Sequence, residues 1–223
     1  MMPNITPLYY GRLTAIWKPH GLPTTFGGQY CLLDHIADQC RHDVILMQRR
    51  TQQTTTFDRA TEYGLLNRLD NDTAGLVRFA RDHDSKHQYL AAQSLGQIKK
   101  IYLADVHGHM TVYDHLIQSP IMHSRRHDER MILVARDGVG AGRWHIHTPT
   151  TLIQPLYYDP LYDYTTILVT ITKWVRHQIR VHLSGMGHSI VGESLYEKSP
   201  SQWEILHLRS IGLHRGDDGS SII

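Results

Sequence analysis

The chain has little of what would anchor it in a membrane or hold it together outside the cell. Its 223 residues include 2 cysteines, Cys31 and Cys40, nine positions apart. Both fall on one predicted helix, too far apart along it to bridge, so a disulfide framework is excluded and reduced thiols in an intracellular compartment are expected. No apolar run approaches the roughly 18 residues that suggest a membrane helix, and residues 1–12 lack the apolar core of a secretory signal. Internal repeats and low-complexity blocks are absent as well, which argues against solenoid and fibrous classes. An excess of one charge is also missing. With 23 Lys and Arg against 21 Asp and Glu, the net charge is +2, so any surface that attracts a polyanion must be local and not global. A chain of this length buries about 70 to 75% of its unfolded surface, enough for one compact core.

What is abundant is histidine, with 17 residues. His145 and His147, His107 and His109, and His83 and His87 have possible ligand spacings. No cysteine pair and no HExxH word accompanies them, so surface or core histidines are the expected reading and a zinc hydrolase is a distant one.

The most informative stretch is Leu66-Asn67-Arg68-Leu69-Asp70-Asn71-Asp72-Thr73-Ala74-Gly75-Leu76. Tyr63 to Leu66 reads as a short strand before it, and Gly75 to Arg81 alternates as a strand behind it. Arg68 and Asp70 therefore sit where the chain changes direction. A carboxylate there can be a nucleophile, a base or a metal ligand, but in isolation it more often caps a turn.

Two later segments add to this. Lys99-Lys100-Ile101-Tyr102-Leu103-Ala104-Asp105-Val106 alternates as a strand, with Lys100, Tyr102 and Ala104 on one face. In Lys173-Trp174-Val175-Arg176-His177-Gln178-Ile179-Arg180-Val181-His182-Leu183-Ser184-Gly185-Met186-Gly187-His188, apolar residues recur at spacings of three and four. An amphipathic helix follows from that pattern, with one greasy face, one cationic face carrying Arg176 and Arg180, and a stop at Gly185 or Gly187. Taken alone, Tyr102 reads as strand packing and Arg180 as a solvated helix charge.

In order and spacing, NRLDNDTAGL, KKIYLADV and HQIRVHLSGMGHSIVGESLY, preceded by Trp17-Lys18-Pro19-His20-Gly21-Leu22-Pro23 and followed by Leu206-His207-Leu208, resemble the RluA/RsuA-type pseudouridine synthases. The resemblance covers residues 12 to 213. It implies an enzyme that isomerises uridine to pseudouridine in ribosomal or transfer RNA. It also implies an α+β pseudouridine synthase fold, a mixed, largely antiparallel sheet flanked by helices with a catalytic cleft. Asp70 then matches the catalytic aspartate, Arg68 the residue that fills the space left by the flipped uridine, and Tyr102 the ring that packs on the target base. Arg180 matches the basic residue paired with the aspartate, and Lys100 a lysine of the same strand.

The physical demands fit those roles. The target base must be extruded, an aromatic face can stack on it, and the carboxylate needs a cation to stay ionised in a partly dry pocket. The net reaction involves no redox change and no hydrolysis, so no cofactor and no metal are expected. The implied partner is RNA, with no membrane, and the chain is expected to act as a cytoplasmic monomer, with an organellar address left open. Residues 1–11 read as an N-terminal arm and 12–223 as one catalytic domain without an S4 domain. RNA selection would then fall to the catalytic domain or a partner. Candidate phosphate contacts are Arg49-Arg50, Lys99-Lys100, Ser124-Arg125-Arg126-His127 and the Arg176/Arg180 face.

The chain departs from the family at Trp174-Val175-Arg176, where Gly-Arg-Thr is usual, at Ala74 for Ser, at Asn67 for His and at Trp17 for Asn. These departures bear on substrate choice. A second function class, an RNA-binding or ribosome-assembly module of the same fold with weak or lost chemistry, stays beside the enzyme. Further elements expected are a helix over Tyr30 to Cys40, with Leu32, Leu33, Ile36, Ala37 and Cys40 as its stripe, and another over His83 to Leu95 with Tyr89, Leu90 and Ala92 inward. Strands are expected at Ile98 to Val106, Leu152 to Tyr157, Ile167 to Ile171 and Ile205 to Leu213, with a loop over Gln48 to Thr56.

Overall fold

A computed structural model describes residues 8–10, 12–27, 30–39, 62–111, 113–124, 126–134, 145–197 and 205–215. Cys40, the Gln48 to Thr56 stretch, Arg49, Arg50, Arg125 and most of the N-terminal arm lie outside them. The chain divides into two compact units, Met1–Ile98 with Arg215–Ile223, and Lys99–His214.

The first unit is built on β1 (Leu8–Tyr10), β2 (Leu13–Lys18) and β3 (Ala74–Ala80), paired antiparallel in that order. The register runs from Leu13 opposite Ala80 to Lys18 opposite Gly75. Leu8–Tyr10, expected within a loose arm, is thus an edge strand. The helix α1 (Leu32–Gln39) buries the stripe Leu32, Leu33 and Ile36. The helix α2 (His83–Ser94) starts at Asp82, whose carboxylate accepts from the backbone of Ser85 while the Ser85 hydroxyl accepts from the backbone of Asp82. This reciprocal cap satisfies two otherwise orphan donors, and Arg12 grips the same carboxylate at 3.0 and 2.7 Å. Tyr89 and Ala92 are buried as expected, but Leu90 is 45% exposed. The expected strand Tyr63 to Leu66 is instead a short 3-10 turn, Glu62–Gly64, with Tyr63 at φ 52°; Leu65 alone bridges to Phe79. The left-handed backbone at Tyr63 breaks the extended run that its composition suggests.

The second unit holds β4 (Ile98–His107), β5 (His115–Ile117), β6 (Ile121–His123), β7 (Met131–Leu133), β8 (Thr151–Asp159), β9 (Tyr164–Ile171) and β10 (Leu208–Arg215). Within it the order is β10–β4–β9–β8–β5, with β6 and β7 as a separate hairpin. The β4–β9, β9–β8, β8–β5 and β6–β7 pairs are antiparallel. Lys100, Tyr102 and Ala104 face the same side as Ile171, Val169 and Ile167 across the β4–β9 ladder, and all six are buried. The alternation read from the sequence is therefore correct, and its polar-looking member, Lys100, lies on the inner side. The β8–β9 ladder shifts register between Pro155 and Tyr157, where proline has no N–H to give.

The helix α3 (Gln178–Gly185) departs from its expected two-faced character. Residues 178–183 are all buried, Arg180 to 2% exposure, while Arg176 lies before the helix and is exposed. The physical reason is that Arg180 has a carboxylate partner inside the unit. Val181 packs with Ile121 and Met131, joined by Val175 and Tyr196.

Gly192 ends the segment that delivers that carboxylate. Its φ is +80°, and a Cβ there would collide with the Ile205 carbonyl. Gly192→Ala is expected to lower the unfolding free energy by roughly 2 kcal/mol or more, combining left-handed strain with the clash. Urea titration of both proteins measures this, and a loss below about 0.5 kcal/mol, the range of an ordinary surface substitution, would contradict the reading.

Candidate active site

The candidate residues fall in both units. Asp70 and Arg68 belong to the first; Lys100, Tyr102 and Arg180 belong to the second.

In the first unit, Asp70 is half-buried on a loop whose neighbours are fixed from several sides. Thr24 Oγ1 donates to the Leu69 carbonyl at 2.7 Å and accepts from the Leu69 N–H at 3.1 Å. The Thr73 N–H donates to the Asp70 carbonyl at 3.0 Å, closing a turn over Asn71 and Asp72. Asn67, buried, accepts from the Arg78 N–H and donates to the Leu76 carbonyl, tying the loop to β3.

Beneath the loop lies Lys18, with no exposed surface. Its ammonium donates to the carbonyls of Leu22 at 2.6 Å, Pro19 at 3.0 Å and Asn71 at 3.0 Å. Burial lowers its pKa to about 8, against the opposing pull of the Asp70 and Asp72 charges. A buried cation satisfied by three carbonyls fixes the backbone one residue past Asp70 and leaves a positive charge near its carboxylate. Arg68 is exposed and donates to Glu62 Oε1 at 2.6 Å. A surface pair of an exposed arginine and a half-buried glutamate is loosely held in energetic terms, so Arg68 is readily released from it.

In the second unit, the dominant feature is the Arg180–Glu193 pair. Nε donates to Oε2 at 2.7 Å and Nη2 to Oε1 at 2.6 Å, with side chains 2% and 0% exposed. Glu193 Oε1 also accepts from the backbone of Leu195 and Tyr196. The Tyr196 ring lies 5.6 Å from the guanidinium carbon, a cation–π distance. Its hydroxyl accepts from the Met131 N–H at 2.9 Å and lies 2.8 Å from His177 Nδ1. Burial lowers the His177 pKa to about 4, helped by the charges of Arg180 and Arg176 and opposed by Glu193. His177 also holds the left-handed φ of 53° that begins α3. His182 is fixed in turn, between Thr151 Oγ1 at 2.9 Å and the Ser119 carbonyl at 3.0 Å.

Tyr102, 3% exposed, forms a wall of the inner sheet face, and Lys100 beside it places its ammonium 5.9 Å from the centre of the Trp174 ring. Sequence reading identified Arg180 but missed Glu193, Tyr196 and His177 around it, and in the first unit it missed Lys18 beneath the Asp70 loop. The signal for Lys18 was in the KPHGLP word; for Glu193 it was an acid in the Ile190-Val191-Gly192-Glu193 stretch, where a glycine separates it from two apolar residues. Among the described residues no group of three His, Cys, Asp or Glu side chains could hold a metal, and no helix is long and apolar enough to cross a membrane.

Two predictions follow from this geometry. Arg180→Met leaves Glu193 buried and unmatched, so it is expected to cost about 3 to 5 kcal/mol, while Arg180→Met with Glu193→Leu recovers most of that. Chemical denaturation of the single and double variants measures the coupling, and additive losses would rule the pair out as a unit. For His177, the unfolded state binds a proton near pH 6.5 and the folded state only near 4. Its contribution to stability is therefore present above 6.5 and lost as pH falls through 4. Because Asn tolerates left-handed backbone, His177→Asn should lose less stability between pH 6.5 and 4 than the wild type when urea midpoints are compared.

Comparison with known proteins places this arrangement. A family model described as RNA pseudouridylate synthase matches residues 12–185. The chain is 35% identical over 145 residues to an uncharacterized RNA pseudouridine synthase, YjbO, of Bacillus subtilis, covering 64% of this chain and 46% of that protein. It is 32% identical over 153 residues to ribosomal large subunit pseudouridine synthase D of Zymomonas mobilis, covering 68% of this chain and 44% of that protein. It thus spans less than half the length of these curated relatives. Among solved structures, human RNA pseudouridylate synthase domain containing 1 superposes with a TM-score of 0.72 at 18% identity, over 100% of this chain and 84% of that one. Human RNA pseudouridylate synthase domain containing 4 gives 0.69 at 24% identity, over 93% and 82%. These two likenesses show the fold, α+β with a largely antiparallel sheet; the family model, which matches most of the chain, shows that it belongs to the RNA pseudouridylate synthase family.

Proposed function

We propose that this chain isomerises uridine to pseudouridine in RNA, with residues 12–223 acting as one catalytic domain and Asp70 as the catalytic aspartate. The observation that carries the reading is the setting of Asp70. It is a half-buried carboxylate on a loop held by Thr24 and Lys18, inside the span that the family model matches.

In this reading the target nucleotide leaves its stack and Tyr102 packs on the extruded base. Arg68, releasable from Glu62, fills the vacated space. Asp70, kept ionised by nearby positive charge, acts near C1′ or C6 as nucleophile or base. The C1′–N1 bond breaks, the bound uracil turns, and a C1′–C5 bond forms while C5 gives up its proton and N1 gains one. The sum is an isomerisation, so the proposal calls for no cofactor. Arg180 takes the role that the family resemblance implies, the basic partner of the aspartate, and Lys100 that of a contact to a phosphate or the base. Ribosomal or transfer RNA is the substrate class, and the Zymomonas relative's name favours ribosomal RNA.

One observation favours a second reading, an RNA-binding module of the same fold. The Arg180 charge is already matched by Glu193, which reduces what it can offer a second carboxylate.

Asp70→Asn separates the two. It keeps size and most hydrogen bonding but removes the charge, so pseudouridine formation should fall by at least about a thousandfold, the scale of losing one group of a catalytic constellation, while RNA affinity is kept or rises. Pseudouridine content and dissociation constants on cellular RNA provide the measurement. A fully active Asn variant would remove Asp70 from the mechanism; a wild type that binds but never modifies RNA would establish the binding module.

A further inference from the structure

No role assigned above uses Trp174. It is 40% exposed, an unusual setting for the side chain with the most apolar surface to hide. Its backbone neighbours, by contrast, are anchored. Val175 packs against Ile121, Met131 and Val181, and the Val175 N–H donates to Gln178 Oε1 at 3.2 Å. Arg176 Nη1 donates to the Asp128 carbonyl at 3.3 Å. The turn that carries the indole is therefore anchored on its C-terminal side, while the ring itself is partly in solvent.

That place is defined by Lys100, whose ammonium lies 5.9 Å from the ring centre. Lys100 is itself buried, on the same face of β4 as Tyr102 two residues further on. The indole thus marks the rim of the Tyr102 face. On either side of it, Lys173 and Arg176 are exposed. An exposed aromatic ring interleaved with exposed cations is how proteins hold single-stranded nucleic acid, because every base has a π-face and every nucleotide a phosphate. A cation close to the indole adds attraction for an electron-rich base laid against the same ring system.

We propose that Trp174 is a stacking platform for an unpaired nucleobase of the RNA, at the rim of the face that carries Tyr102, with Lys173 and Arg176 meeting the adjoining phosphates. The proposal rests on the isomerase reading only in taking RNA as the ligand, and it makes Trp174 a specificity-determining residue, not a catalytic one. It gives this chain a base-binding position that a glycine or threonine in the same turn could not supply.

The test uses binding alone, with a fluorescein-labelled oligouridine dodecamer and an abasic ribose-phosphate chain of the same length and charge as probes. The wild type should bind the oligouridine more tightly than the abasic chain. Trp174→Ala should weaken oligouridine binding about tenfold, the scale of one lost base stack, and Trp174→Phe, which still offers a ring, should stay within about threefold of the wild type. Both variants should bind the abasic chain as the wild type does. The proposal is overturned if the wild type does not favour oligouridine, if Trp174→Ala keeps its affinity, if the loss is as large on the abasic chain, or if Phe loses as much as Ala. No catalysis is read, so absence of pseudouridine formation would defeat the isomerase reading and leave this one standing.

Discussion

The guanidinium of Arg180, enclosed in the second unit with 2% of its side chain exposed, is a charge that the protein interior tolerates only when matched. Glu193 matches it along the Nε and Nη2 edge, and the requirements of that carboxylate then propagate. Its remaining capacity is taken by the backbone of Leu195 and Tyr196, which fixes the turn after Gly192. Tyr196 in turn lays its ring near Arg180 and ties the Met131 backbone to His177. One buried pair thereby commits α3, the 190–197 segment and the β6–β7 hairpin to a single arrangement. Such pairs add little net stability but penalise any state in which one partner is lost, a property suited to holding a binding residue in one orientation.

The first unit solves a similar problem with different chemistry. Lys18 is buried without a carboxylate in its hydrogen-bond set, satisfied instead by the carbonyls of Pro19, Leu22 and Asn71. Because carbonyls carry no net charge, the positive charge of Lys18 is not cancelled, and it acts on Asp70 and Asp72. Arg180 is neutralised in its pair while Lys18 is only solvated. The loop that carries Asp70 is thus held from below by a buried cation whose charge its hydrogen bonds do not cancel.

The parts of the fold legible in the sequence are those with sustained periodicity. β4 alternates over ten residues and was read correctly, Lys100 included; β9 and α2 were legible for the same reason. The three-residue strands β5, β6 and β7 have too few positions for any period to register. Tyr63 to Leu66 misled because a strand-forming composition meets a left-handed residue, and Leu90 misled because helical spacing places a residue on a face without saying how far that face is covered.

By itself the sequence determined the class of molecule and its chemical vocabulary. Near-neutral charge, few cysteines and the ordered words around Asp70, Tyr102 and Arg180 are local properties, carried wherever the chain goes. The tertiary structure alone decided that Arg180 meets Glu193, that Lys18 holds the Asp70 loop through a carbonyl 53 residues away, and that Trp174 stands over Lys100. Local periodicity fixes which side of an element a residue takes. What arrives on that side depends on which distant segments close their loops and pack there, and one loop's hydrophobic or polar pattern does not encode the identity of its neighbour.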